Sequence, residues 1–301
     1  MAKISVVINT RNEENNLPRA LASVRKLADE IVVVDMESSD KTVEIAKEEG
    51  ARVWNHPQLG YVEPARNFAI GKAVGDWILI LDADEEIGPT LIKKLREIVS
   101  KKKSADFYRL PRKNLIFGKW IRHARWWPDY NIRFFKRGVV SWSEIIHSVP
   151  ETHVEGMDLL AQEKFAIIHH NYTTVSQYLE RMMRYTDIQA KFQVKDGYVF
   201  AWQDLIKRPA SEFISRFFAG GGYKDGTHGL VLGILQAFSE AVVCVRVWEI
   251  QKFRDMPIKD EDLNKELNKI ALEFDHWLIQ TGMKTYTLTN RFLRKLLSTG
   301  N

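Results

Sequence analysis

Four carboxylates stand within five positions at Asp82-Ala83-Asp84-Glu85-Glu86, directly after the apolar run Trp77-Ile78-Leu79-Ile80-Leu81. Such a run fits a strand buried on both faces, as in a parallel sheet covered by helices. A buried strand cannot carry that much unpaired charge, so the acidic cluster is expected at its carboxyl end. Open α/β sheets place their ligands there. Asp82 and Asp84 are two apart, which in extended chain puts both on one side. Two hard oxygen donors so placed suit Mg2+ or Mn2+ held against a diphosphate. An acidic helix N-terminus would also gather carboxylates at this spot.

The elements that must position this cluster alternate regularly. Ile4-Ser5-Val6-Val7-Ile8 predicts a first strand, followed by the polar turn Asn9–Glu14 and a helix marked by Leu17, Leu21, Val24 and Leu27. Ile31–Val34 predicts a second strand closed by Asp35, then a helix capped by Ser39 or Asp40 and stopped by Gly50. Ala51–Trp54 predicts a third strand, Pro64–Ile70 a short helix, and Trp77–Leu81 the fourth strand. Strands alternating with helices imply a mainly parallel sheet with right-handed crossovers. The polar stretches 9–13, 35–40 and 82–86 all follow strands and so gather on one edge.

The balance of 44 basic against 39 acidic residues leaves a net charge of only +5, too mild to argue for nucleic acid. Cys244, the single cysteine, allows no internal disulfide and fits a reducing compartment. The amino terminus runs straight into a strand without a signal-peptide pattern, so the active part is expected in the cytosol.

Asn9-Thr10-Arg11-Asn12-Glu13, Val33-Val34-Asp35 with Ser38, Asp40 and Thr42, Ala65-Arg66-Asn67, and Asp82-Ala83-Asp84 together resemble family 2 glycosyltransferases of the GT-A fold. Ile168-His169-His170-Asn171-Tyr172 and Gly222–Leu230 resemble a lipopolysaccharide-core glucosyl- and heptosyltransferase-like subgroup. The resemblance implies a GT-A catalytic domain over residues 1–170 and a helical C-terminal region over 171–301. It also implies that Thr10, Arg11, Glu13 and Asp35 hold the nucleotide base and ribose, and that Arg66 lies near the donor diphosphate. Asp84 would bind the metal most directly, and Asp82 would meet ribose or a metal-bound water. Glu85 and Glu86 are expected to cap the next helix, near Pro89.

Asp129-Tyr130-Asn131-Ile132-Arg133 resembles the family's aspartate, spacer and arginine. By that match Asp129 is the expected base and Arg133 a phosphate contact. The subgroup usually has His-Glu where this chain has His147-Ser148, which leaves Glu144 and Glu151 as rival bases. His147 and His169 are each open to a structural role or to ligating the metal.

Phe117–Trp127 is dense in tryptophan and arginine and reads equally as folded core or as an acceptor groove. The stretch from Lys207 to Phe218 mixes rings with cations, as an interfacial helix on an anionic bilayer would. Leu230–Val247 is the most apolar run, interrupted by Gln236, Glu240 and Arg246. A helix packed on the domain or lying in the interface is expected there, not a span. The tail, basic around Arg291–Lys295, reads as a helical appendage or dimer contact.

The resemblance implies an inverting glycosyltransferase with Mg2+ or Mn2+ and a UDP-glucose-type donor, expected at the cytoplasmic face of the inner membrane. Its acceptor would be lipid-linked or of lipopolysaccharide-core type, its membrane contact peripheral, and homo-oligomerisation possible. A sugar nucleotidyltransferase would want glycine in the first turn, and Asn9–Glu13 has none. A nucleotide-sugar-binding protein without transfer activity is the other alternative.

Overall fold

β-Branched residues dominate the first strands because both sheet faces are covered, and all seven residues of the first strand are buried. The computed structural model describes residues 2–58, 63–142 and 150–283, so the tail's basic segment lies outside the described residues. The elements in order begin β1 (Ile4–Thr10), α1 (Leu17–Val24), β2 (Glu30–Asp35), α2 (Thr42–Glu48), β3 (Arg52–Asn55) and α3 (Glu63–Lys72). Next come β4 (Trp77–Asp82), β5 (Glu85–Ile87), α4 (Pro89–Ser100), β6 (Phe107–Leu110), β7 (Arg112–Ile116) and β8 (Lys119–Trp120). The remainder are β9 (Asn131–Lys136), β10 (Gly156–Asp158), β11 (Ile167–Tyr172), α5 (Val175–Lys195), α6 (Asp204–Ile214), α7 (Thr227–Ile250) and α8 (Asp260–Gln280).

The chain divides into two units: Met1–Ile116 with Trp127–Asn171, and Phe117–Trp126 with Tyr172–Asn301. The first contains a seven-stranded sheet ordered β10-β6-β9-β4-β1-β2-β3. β1 runs parallel to β2 and β4, and β2 to β3, while β9 is antiparallel to β4 and β6. Ile4, Val6 and Ile8 face Leu17, Leu21 and Leu95 on one side. Val7, Val34, Ile78 and Ile80 face Ala69 and Trp142 on the other. This is the mainly parallel, helix-flanked architecture expected from the sequence. A second sheet in this unit sets β5 beside β11 and β11 beside β7, with Glu85 opposite His169.

In the second unit the Phe117–Trp126 segment is pinned by backbone and carboxylate contacts. Ala124 N donates to Gly220 O at 2.8 Å, His123 N to Asp225 Oδ2 at 2.9 Å, and Lys119 Nζ to Asp225 O at 2.7 Å. The glycines of Gly222–Leu230 have a steric cause: a Cβ on Gly229 would stand 1.8 Å from Gly222 O. Arg122 lies over the Trp120 ring, 4.0 Å from its centroid.

Both arginines and the three phenylalanines of the 207–218 stretch have partners inside this unit, while Lys207 is exposed. Arg208 pairs with Glu240 at 2.6 Å and Arg216 with Glu212 at 2.7 Å. Phe213, Phe217 and Phe218 cluster together, and Phe213 and Phe218 also meet Phe274. The Glu240 that would be costly in a span therefore has a partner, and Gln236 donates to the Tyr178 hydroxyl. α7 is long and apolar enough to cross a membrane by length and composition, and 28 % of its apolar stretch is buried.

Candidate active site

The turn after β1 and the turn after β2 are laced together, which brings their polar residues to one edge. Asn12 N donates to Ser38 Oγ, Glu13 N to Thr42 Oγ1, and Ser39 N to the Asn12 side chain, each at 2.8 Å. Asn12 adopts φ +53°, a region that Asn tolerates better than most residues. Thr10 stands opposite Asp35 in the parallel register. Thr10 Oγ1 and Asp35 Oδ1 are both buried without a hydrogen-bond partner, while Asp35 Oδ2 accepts from Ser38 N at 3.0 Å. Arg11 is exposed. The Glu13 carboxylate accepts from Asn16 Nδ2 at 2.8 Å, at the start of α1.

The acidic cluster departs from expectation. Its second half does not cap α4, whose N-cap is Gly88. Glu85 instead enters β5 and is fully buried, and its Oε2 accepts from Asp82 N at 2.9 Å. Its charge is met by Arg133 at 2.9 Å and Arg112 at 3.3 Å, without which burial would be prohibitive. Glu86 meets His170 Nε2 at 3.0 Å. Arg133, expected at phosphate, is itself buried and also binds Asp82 at 2.6 Å. Both of these bonds are made by Nη2, while Nε is buried without a hydrogen-bond partner.

Asp82 is thus clamped between Arg133 and Arg66, whose Nη2 lies 3.1 Å away. Burial pushes its carboxyl up, but Arg133 and then Arg66 hold it well below the usual carboxylate range. Arg66 Nη1 is buried and has no partner, so one face of this guanidinium is left to bond an anion. The Trp142 ring lies beside it, 5.8 Å away.

Asp129 precedes β9 at φ +36° and keeps 27 % of its side-chain exposure. Arg112 Nε and Asn114 Nδ2 both donate to its Oδ2 at 2.8 Å. Burial raises its carboxyl, but Arg112 and Asn114 outweigh this and lower it, so it is ionised at neutral pH. Asn114 in turn meets His169 Nδ1 at 2.6 Å, and His169 Nε2 lies 3.3 Å from Asp84 Oδ2. An amide and an imidazole therefore stand between Asp129 and Asp84. Sequence reasoning passed over Arg112 and Asn114; the only signal was a polar residue at an inward position of β7, two before the buried Ile116.

Asp84 and His169 offer one hard oxygen and one imidazole nitrogen on converging side chains, which fits Mg2+ or Mn2+ with further positions taken by water and phosphate. No three of His, Cys, Asp and Glu form a metal cluster among the described residues. Glu144, His147 and Ser148 lie outside the described residues.

The model of the family described as Glycosyl transferase family 2 matches residues 5–152. An uncharacterized glycosyltransferase of Rickettsia typhi is 31 % identical over 271 residues, 87 % of this chain and 90 % of that one. The lipopolysaccharide core biosynthesis glycosyltransferase LpsC of Rhizobium meliloti is 23 % identical, over 87 % of this chain and 97 % of that one. Among solved structures, S. aureus TarS 1–349 in complex with UDP superposes with a TM-score of 0.44 at 15 % identity, covering 86 % of this chain and 94 % of that one. With the family model matched over residues 5–152 and a 31 % identical relative covered over nine-tenths of its length, the chain belongs to glycosyl transferase family 2 and is a glycosyltransferase.

Proposed function

We propose that the chain transfers a glucose-type sugar, with inversion, from a nucleoside-diphosphate sugar of the UDP type to a lipid-linked or lipopolysaccharide-core acceptor. The observation that carries this reading is that three of the five buried polar side-chain atoms left unpartnered among the described residues of the first unit, Thr10 Oγ1, Asp35 Oδ1 and Arg66 Nη1, belong to residues of this edge; the other two are Arg19 Nε and Arg133 Nε. Buried polar groups are almost always satisfied, so a ligand is the natural source of their partners. Asp35 and Thr10 would bond the base and ribose, and Arg66 the diphosphate oxygens. Asp84 and His169 would hold Mg2+ or Mn2+, which when bound neutralises charge on the leaving diphosphate.

Asp129 Oδ1 would take the acceptor hydroxyl proton as the new C–O bond forms at the anomeric carbon and the bond to phosphate breaks. A base for that step must stand apart from the diphosphate, and the two side chains between Asp129 and Asp84 support this. Membrane contact would be peripheral, through α7. Leu230, Ile234, Phe238 and Val245 share one exposed face of that helix, the face away from Glu240. The test is release of nucleoside diphosphate from a panel of nucleotide sugars, with lipid acceptor and with or without chelator. Absence of release from every donor, with and without acceptor, sinks the reading.

A further inference from the structure

Asn114 is fully buried on β7, and its amide meets both Asp129 and His169. On one side Asp129 Oδ2 can only accept, so the amide must present Nδ2 there, at 2.8 Å. That turns Oδ1 toward His169 Nδ1, at 2.6 Å. A carbonyl oxygen cannot donate, so Nδ1 carries the hydrogen of this bond. In a neutral imidazole Nε2 is then a bare lone pair, and Nε2 is the nitrogen 3.3 Å from Asp84 Oδ2. A lone pair and a carboxylate oxygen at that distance repel unless a positive charge joins them.

Arg112 stiffens the arrangement at its far end. It holds Asp129 through Nε and Nη2 and reaches the buried Glu85 through Nη1, which stops the carboxylate from turning. Resting on the reading of Asp84 as a metal site, we propose that Asn114 is a positioning residue. Its amide, oriented by Asp129, keeps His169 in the Nδ1–H form so that Nε2 joins Asp84 as a donor to the divalent ion. Partners of this kind fix the tautomer of a ligating histidine and raise its affinity for metal.

The test has two readouts, neither of them turnover. Mn2+ is titrated in the presence of UDP into wild type, Asn114→Leu and His169→Gln. Asn114→Leu should weaken Mn2+ binding about 10- to 100-fold, as loss of such partners typically does. Nitrogen NMR of protein carrying 15N-labelled histidine rings, with Mg2+ and UDP, reads the tautomer; the His169 signals are those missing from His169→Gln. In wild type Nδ1 should be protonated and Nε2 not, a readout that needs no folded variant. A proton on Nε2, or Asn114→Leu binding Mn2+ as wild type does, overturns the inference and leaves the metal reading standing. His169→Gln binding as tightly as wild type does the same. A wild type that binds no Mn2+ with UDP overturns both.

Discussion

Arg112 holds Asp129 through two nitrogens aimed at the same oxygen, Nε at 2.8 Å and Nη2 at 2.7 Å from Oδ2. Among the described residues Oδ1 has only a distant contact from Asn131, at 3.5 Å. In Asp129→Asn the arginine and Asn114, both donors, should draw the new amide oxygen into the Oδ2 place. The amide nitrogen then occupies the Oδ1 place, where it cannot accept a proton. We predict that turnover falls by about a hundredfold, as for loss of a general base, while Mn2+ affinity with UDP is kept. Asp129→Ala should lose both. If Asp129→Asn stays active and Glu144→Gln is dead, the base is Glu144.

Asp84→Asn should abolish UDP-dependent Mn2+ binding and transfer while the circular dichroism spectrum is unchanged. Its backbone carbonyl, which accepts from His170 N at 2.9 Å, is untouched by the substitution. Removing the anionic donor from a site with few protein ligands leaves little to hold a hard cation. Transfer at a normal rate in this variant would remove the metal role.

Arg133→Met should cost about 3 kcal/mol at pH 7, measured by denaturant unfolding, because it leaves buried Glu85 to Arg112 alone and weakens the clamp on Asp82. The sign with pH follows from Asp82, whose folded pKa is depressed. Its contribution is present above the unfolded value of about 3.9 and is lost as pH falls through the lower folded value. The gap between wild type and Arg133→Met should therefore narrow below about pH 4. A gap that is constant with pH would mean the loss is one of packing.

Much of this was legible because it is local. The apolar run Trp77–Leu81 and the polar turn after β1 announce a buried strand and a ligand edge. Glu85 was misread because its burial depends on Arg112 and Arg133, which are 27 and 48 residues further along. A carboxylate before Pro89 looks like a helix start until those partners are known. Asn114 left almost no trace, since a lone Asn in a strand acquires meaning only from the His169 and Asp129 that fold beside it. In β11 alternation sends His169 inward and His170 toward Glu86, a difference that adjacent identical letters cannot reveal.

On liposomes of phosphatidylethanolamine with phosphatidylglycerol, wild type should bind and alkaline carbonate should release it. Replacing Ile234 and Phe238 together by Glu should weaken binding by about tenfold or more, since two exposed apolar side chains leave the interface. Retention that only detergent reverses would mean that α7 inserts across the bilayer.

The segment Phe117–Trp126 is completed by residues made much later: Arg122 N and Asp225 lie 103 positions apart. At about 5–20 residues per second, a ribosome needs on the order of 5–20 s to supply that partner. For that interval a stretch rich in tryptophan waits without its anchor while the strands before it can already pair. Birth order thus makes this detour a natural place for a chaperone to hold the nascent chain. A polypeptide cut after Asn171 would never leave that stage, and it should aggregate through the same ten residues.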